Sequence, residues 1–271
     1  MTIIQSAFLG VIQGLTEFLP VSSSGHLVLF QKIFGIASGA LSFDIFVHLG
    51  TLMAIFAVFW KDIVEMIRRP FSRLPLLLVI GTIPAVVVGF AFKDIFENLF
   101  SSGSTIGAEF IITGIIILIA EKFACRGKME SNEAICAPKN ISSMGALDAL
   151  VIGAAQSVAI LPAISRSGAT IAGSLFRGLD RDSALRFSFL LSIPAILGSA
   201  VFDVIGTAKN PMPLPLAPII VGAIAAAISG YFTIRYMLKV FREKPLTAFA
   251  FYVFILGGLI IFDQLVTRFV F

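Results

Sequence analysis

Six stretches of this chain stay predominantly apolar for 17 residues or more, and that recurrence restricts the fold more than any other feature. About 20 such residues form a helix that crosses roughly 30 Å of hydrocarbon. Inside lipid, a helix is also the form in which one segment satisfies its own backbone. The runs cover 42–60, 74–92, 105–121, 184–206, 215–239 and 246–267. They occupy the whole length, so no separate soluble domain is expected, and 1–271 reads as a single membrane domain. Charged residues make up 13% of the chain, about half the share in a soluble domain. The opening MTIIQSAFLG lacks the basic n-region and small-residue cleavage site of a signal peptide, and is expected to belong to the mature protein. Cys125 and Cys136 stand in neither a CxxC nor a Cys/His cluster and read as free thiols.

Two further regions break the pattern. Residues 2–35 are apolar up to Leu19, stop at Pro20 and a run of serines, then resume; residues 146–178 do the same around Pro162 and SRSG. Each half is too short to span, so both regions predict re-entrant helical hairpins that enter and leave on one side. They are also alike. Aligning GVIQGLTEFLPVSSSGHL with GAAQSVAILPAISRSGAT at an offset of 143 places Gln13 on Gln156, Ser22 on Ser165, Ser24 on Ser167 and Gly25 on Gly168. The same offset carries Ala57-Val58-Phe59 onto Ala200-Val201-Phe202, and IGTIPAVVVGF matches VGAIAAAISGY at 141. One unit, about 1–121 and again 146–268, is therefore expected twice.

Basic residues orient the two units. Lys61, Arg68, Arg69 and Arg73, then Lys122, Arg126, Lys128 and Lys139, then Arg235, Lys239, Arg242 and Lys244 mark three cytoplasmic loops. The segments 93–104 and 207–214 carry only Lys93 and Lys209 and suit the other side. Three crossings per unit reverse the second copy. The expected fold is an all-α integral membrane protein with six transmembrane helices and two re-entrant hairpins in an inverted-topology repeat. The net charge of +4 suits anionic lipid and calls for no nucleic acid.

The hairpin tips concentrate polar chemistry. The first brings Glu17, Ser22, Ser23, Ser24, Gly25 and His26; the second brings Ser165, Arg166, Ser167, Gly168 and Thr170. A serine-rich turn leading into a helix aims free N–H groups and the positive helix end at the tip, which makes an anion cradle. Arg166 adds a planar charged fork for phosphate oxygens, and a buried arginine calls for an anionic partner. Ser23 and His26, three apart, share a helix face. Ser23 can attack phosphorus with His26 as base, or His26 can attack with a carboxylate orienting it. Glu17 can hold Mg²⁺ or Ca²⁺ against a diphosphate. Plainer readings exist for several positions. Ser22, Ser24 and Ser167 are of a kind that often bonds backbone carbonyls. Asp44 and His48 either line the cavity or form a packing pair, Pro84 and Pro194 are kinks, and Gly222 and Gly230 admit close helix contact.

QGLTEFLPVSSSGHL and LPAISRSGAT, with FSFLLSIPA at 187–195, closely resemble the undecaprenyl-pyrophosphate phosphatase family, also called bacitracin-resistance proteins. The resemblance covers essentially the whole chain. It implies a multi-pass enzyme of the bacterial inner membrane that hydrolyses undecaprenyl diphosphate to undecaprenyl phosphate and phosphate, recycling the lipid carrier of peptidoglycan and other cell-wall polymers. It further implies divalent-cation dependence, catalytic roles for Glu17, Ser23 and His26, and phosphate binding by Arg166. The expected partners are the lipid substrate, the bilayer and, in a homodimer, a second copy of the chain. Gln13 departs from the family pattern, in which many members carry a second glutamate. So does Pro162-Ala163-Ile164, where Pro-Gly is usual. The rival function is a transporter or flippase of the polyprenyl phosphate carrier, a class that also uses inverted repeats and broken helices.

Overall fold

A computed structural model describes residues 1–36, 40–124, 138–207 and 215–271. Cys125, Cys136, Arg126, Lys128 and Lys209 lie outside the described residues, so the thiol reading and part of the charge reading rest on sequence alone. Within the described residues the chain is helical, with one isolated bridge between Lys139 and Leu179. The helices are α1 (Ile3–Phe18), α2 (Ser23–Ile33), α3 (Ala40–Val58), α4 (Trp60–Arg68), α5 (Arg73–Ala91) and α6 (Lys93–Ser102). They continue as α7 (Ile106–Phe123), α8 (Ala146–Val158), α9 (Arg166–Phe176), α10 (Arg181–Thr207), α11 (Leu216–Val240) and α12 (Thr247–Phe262).

Among the described residues, α5, α10, α11 and α12 are long and apolar enough to cross a membrane, and α3 with α4 makes a fifth span if that pair counts as one. The chain bends by 85° between α3 and α4, so the run read as 42–60 stops at Val58 and the charged Trp60–Arg68 segment leaves as its own helix. The run at 105–121 is present as α7, but Glu109, Glu121 and Lys122 place three charges on it. The segments 61–73 and 93–104, read as loops, each contain a helix, α4 and α6.

Local chemistry sets the ends nearest the tips. α1 stops where Leu19, extended at φ −81° and ψ 147°, precedes Pro20, because a residue before proline is driven out of the helical region. Ser22 caps α2 by accepting the Gly25 N–H, and Ser165 caps α9 by accepting the Gly168 N–H. α1 has 16 residues and α8 has 13, about 24 and 20 Å at 1.5 Å per residue, short of the hydrocarbon thickness.

One end of the bundle is tied by charge. Arg181 donates to Phe241 O, Lys244 O and Glu121, while the Leu246 N–H donates to the other Glu121 oxygen. Arg186 pairs with Asp62, Arg73 Nε donates to Met144 O, and the Ile141 N–H donates to Ser183. The starts of α5, α8, α10 and α12 and the ends of α7 and α11 are thereby gathered together, at the end where the basic loops lie. α8 packs along α5 in parallel, Gly153 on Gly81 and Ile160 beside Gly89, and so begins at this charged end. α1 packs along α11 in parallel, Gly10 on Gly222 and Gly14 on Ala226 and Gly230, and so begins at the opposite end. The two short helices enter the bundle from opposite sides, and each leads to a tip.

Candidate active site

The turns after α1 and α8 meet inside the bundle. Ser24 Oγ donates to Pro162 O at 2.5 Å, and Ser167 Oγ donates to Leu19 O at 2.9 Å. Adding 143 to Ser24 and Leu19 gives Ser167 and Pro162, so one bond is the counterpart of the other. Ser22 Oγ also donates to Pro162 O, at 3.2 Å. The hydroxyls of Ser22, Ser24 and Ser167 therefore fasten each turn to the backbone of the other. Gly25 serves the same approach: a Cβ there would lie 2.7 Å from the Phe110 ring and 2.8 Å from Ala163 Cβ. Thr170 faces α10, sharing a 2.6 Å bond with Ser188 Oγ and donating to Arg166 O.

Glu17 lies at the centre. One of its carboxylate oxygens accepts from Arg166 Nη2. The other accepts from Ser23 Oγ and, at 2.9 Å, from Gln13 Nε2. His48 Nε2 stands 3.7 Å from that second oxygen, while its Nδ1 is 2.6 Å from Asp44 O. The Glu17 side chain is 4% exposed and that of Arg166 20%; a lone charge buried this far is costly, and the pair offsets it. Arg166 Nη1 reaches Ser192 O on α10 at 3.3 Å. Among the described residues, the N–H groups of Ser23, Ser24, Arg166 and Ser167 have no protein acceptor, as expected in a helix's first turn. Two helix starts, one carrying Ser23 and the other Arg166, thus meet at the Glu17 carboxylate, an arrangement suited to a phosphoryl group.

His26 is placed differently. Its Nδ1 is 2.6 Å from Ser22 O and its Nε2 2.7 Å from Tyr252 Oη, with the ring nearly parallel to that of Tyr252 and edge-on to Phe110. Both ring nitrogens are thereby occupied, and the Ser23 hydroxyl goes to Glu17 instead. The Ser22 carbonyl belongs to a residue at φ 65°, a region that costs a non-glycine residue about 1–3 kcal/mol unless its surroundings hold it there. Ala163 is absent from the positive-φ residues, so its turn does not need the left-handed conformation that favours glycine.

The oxygen donors available to a divalent cation are few. Among the described residues, Glu17 is the one carboxylate in direct contact with Ser23 and Arg166. Gln13 Oε1, beside it, is buried with no hydrogen-bond partner, and no group of three His, Cys, Asp or Glu side chains exists among the described residues. That set fits a hard ion held by one carboxylate and one amide oxygen with phosphate oxygens completing its shell, and does not fit an all-protein cage.

Sequence reasoning missed Tyr252, which reads as one aromatic ring in an apolar span, and Ser192. It left His48 between two roles, because a histidine four residues from an aspartate on a helix fits both. The geometry settles the side: His48 faces Glu17.

Residues 6–259 match the family model described as bacitracin resistance protein BacA. An undecaprenyl-diphosphatase of Carboxydothermus hydrogenoformans is 51% identical over 272 residues, covering 99% of this chain and 100% of that protein. An undecaprenyl-diphosphatase of Halothermothrix orenii is 42% identical over 96% of this chain and 98% of its own. An undecaprenyl-diphosphatase 3 of Bacillus cereus is 42% identical over 97% and 98%. With a family model covering most of its length and relatives of this identity matched nearly end to end, the chain belongs to the bacitracin resistance protein BacA family.

Proposed function

We propose that the protein hydrolyses undecaprenyl diphosphate to undecaprenyl phosphate and inorganic phosphate, at the meeting of the two turns. One observation carries the reading at the level of residues: Glu17 receives both the Ser23 hydroxyl and the Arg166 guanidinium inside the bundle. The activity named for the near-full-length relatives supports it, and the carrier-transport alternative has no comparable support.

The chemistry follows from that arrangement. An arriving diphosphate offers Arg166 more acceptor oxygens than Glu17 does, and the N–H groups at the starts of α2 and α9 are free to take others. The Ser23 oxygen attacks the terminal phosphorus while its proton passes to Glu17 Oε2. The bridging P–O bond breaks, prenyl phosphate leaves, and water then releases phosphate from the serine. Glu17 and Gln13 Oε1 would hold the divalent cation, which when bound neutralises charge on the diphosphate. His26 keeps the turn in place in this scheme.

The same proposal includes the architecture: six crossings and two re-entrant hairpins, in inverted units 1–121 and 146–268. It is supported by the opposed entry of α1 and α8 and by contacts that interchange at the repeat offset. α7 can cross despite its charges, since buried Glu109 accepts the Ala163 N–H at 2.6 Å and Glu121 pairs with Arg181 at the bundle end. We place the protein in the bacterial inner membrane, where its lipid substrate resides; cross-linking in native membranes would test whether it pairs as a homodimer.

The deciding experiment measures phosphate release by purified protein in detergent from farnesyl or undecaprenyl diphosphate, with no gradient present. Arg166→Ala should lower turnover by about 10²- to 10³-fold while the protein stays folded. Wild-type turnover in that variant would overturn the phosphate-clamp role.

A further inference from the structure

The last apolar helix of each half, α7 and α12, touches the opposite half's turn. At the second turn, α7 does this with two side chains: Glu109 accepts the Ala163 N–H at 2.6 Å, and Thr113 donates to Ala163 O and accepts the Ser165 N–H. α12 is the counterpart of α7, since Gly114 meets Phe254 and Gly257 meets Ile111, contacts that the 143-residue offset interchanges. That offset puts Tyr252 at the place of Glu109, Leu256 at that of Thr113, and Pro20 at that of Ala163. The first turn therefore cannot be braced in the same way. Proline has no N–H to give, and leucine has no polar group.

We propose that Tyr252 is a positioning residue for the hydrolysis, bracing the first turn through His26. A carbonyl only accepts, so the 2.6 Å contact with Ser22 O puts a proton on His26 Nδ1. In the neutral ring Nε2 is then an acceptor, and the Tyr252 hydroxyl donates to it at 2.7 Å. The ring thus links α12 to the carbonyl of Ser22, the residue held at φ 65° next to Ser23. Tyr252 supplies the contact with α12 that Pro20 and Leu256 cannot, and the direction of the Ser23 hydroxyl depends on it. The proposal rests on the reading of Ser23 as the attacking group.

Tyr252→Phe keeps the ring and removes only the hydroxyl. It should reduce kcat by about tenfold with KM changed less than about twofold, since a small misplacement of the reacting group affects turnover more than binding. Amide hydrogen exchange of the segment around Ser22 to His26 should be faster in the same variant. In a His26→Asn background the Tyr252→Phe change should have no further effect on that exchange, because coupled residues are non-additive. Wild-type kcat in Tyr252→Phe overturns the proposal, as does an equal effect on exchange with and without His26. Ser23→Ala, measured alongside, separates the two ideas: turnover retained there overturns the nucleophile reading, whereas an inactive Ser23→Ala beside a fully active Tyr252→Phe overturns the role of Tyr252 alone.

Discussion

Glu17 shows how much a single buried carboxylate can organise when its partners come from four elements. Gln13 arrives from its own helix one turn earlier, Ser23 from the start of α2, Arg166 from α9 and His48 from α3. His48 Nε2 stands 3.7 Å from the oxygen that accepts the Ser23 hydroxyl, beyond hydrogen-bond reach, so it lines the site beside the carboxylate. His48→Ala is expected to lower phosphate release by about tenfold, less than Arg166→Ala, because it removes a neighbour of Glu17 and leaves the phosphate ligand in place. Gln13→Glu supplies the second carboxylate that many family members carry. It should lower the Mg²⁺ or Ca²⁺ concentration giving half-maximal activity by about tenfold, read from titrations after treatment with a chelator.

At the scale of elements, α1 and α8 owe their positions to glycine. A side chain at Gly10 would run into the Gly222 carbonyl, and one at Gly153 into the Gly81 carbonyl. The residue types are what two helices need when no hydrophobic force drives them together in lipid and backbone approach must do the packing. Gly10→Val and Gly153→Val should each destabilise the protein by about 1–3 kcal/mol and reduce activity without touching the turns. A lowered thermal midpoint in detergent would register it, and an unchanged midpoint would show that the helices separate freely. These contacts could be anticipated in part: the sequence marks Gly222 for close packing, but nothing in it names Gly10 as the opposing surface.

For the whole molecule, the charged end and the opposed entry of α1 and α8 give a topological expectation. Single cysteines replacing Lys61 and Lys93, in a version lacking Cys125 and Cys136, should be labelled by a membrane-impermeant thiol reagent from opposite faces of sealed vesicles; labelling from one face would contradict the crossing by α5. Apolar run length and the serine-proline breaks were legible from the chain alone, because the hydrocarbon imposes a length and a backbone rule that a linear pattern must obey, and the match at offset 143 proposed the repeat. Grouping Glu17, Ser23 and Arg166 followed from that repeat, whereas pairing Ser23 with His26 came from helical spacing, which ignores what the ring meets across the bundle. Folding decided that Ser23 reaches Glu17, that His26 reaches Tyr252 226 residues away, and that α3 turns by 85° before its expected end. Hydrogen-bond partners of that kind are chosen by which helices end up side by side, and no local period of the sequence encodes that choice.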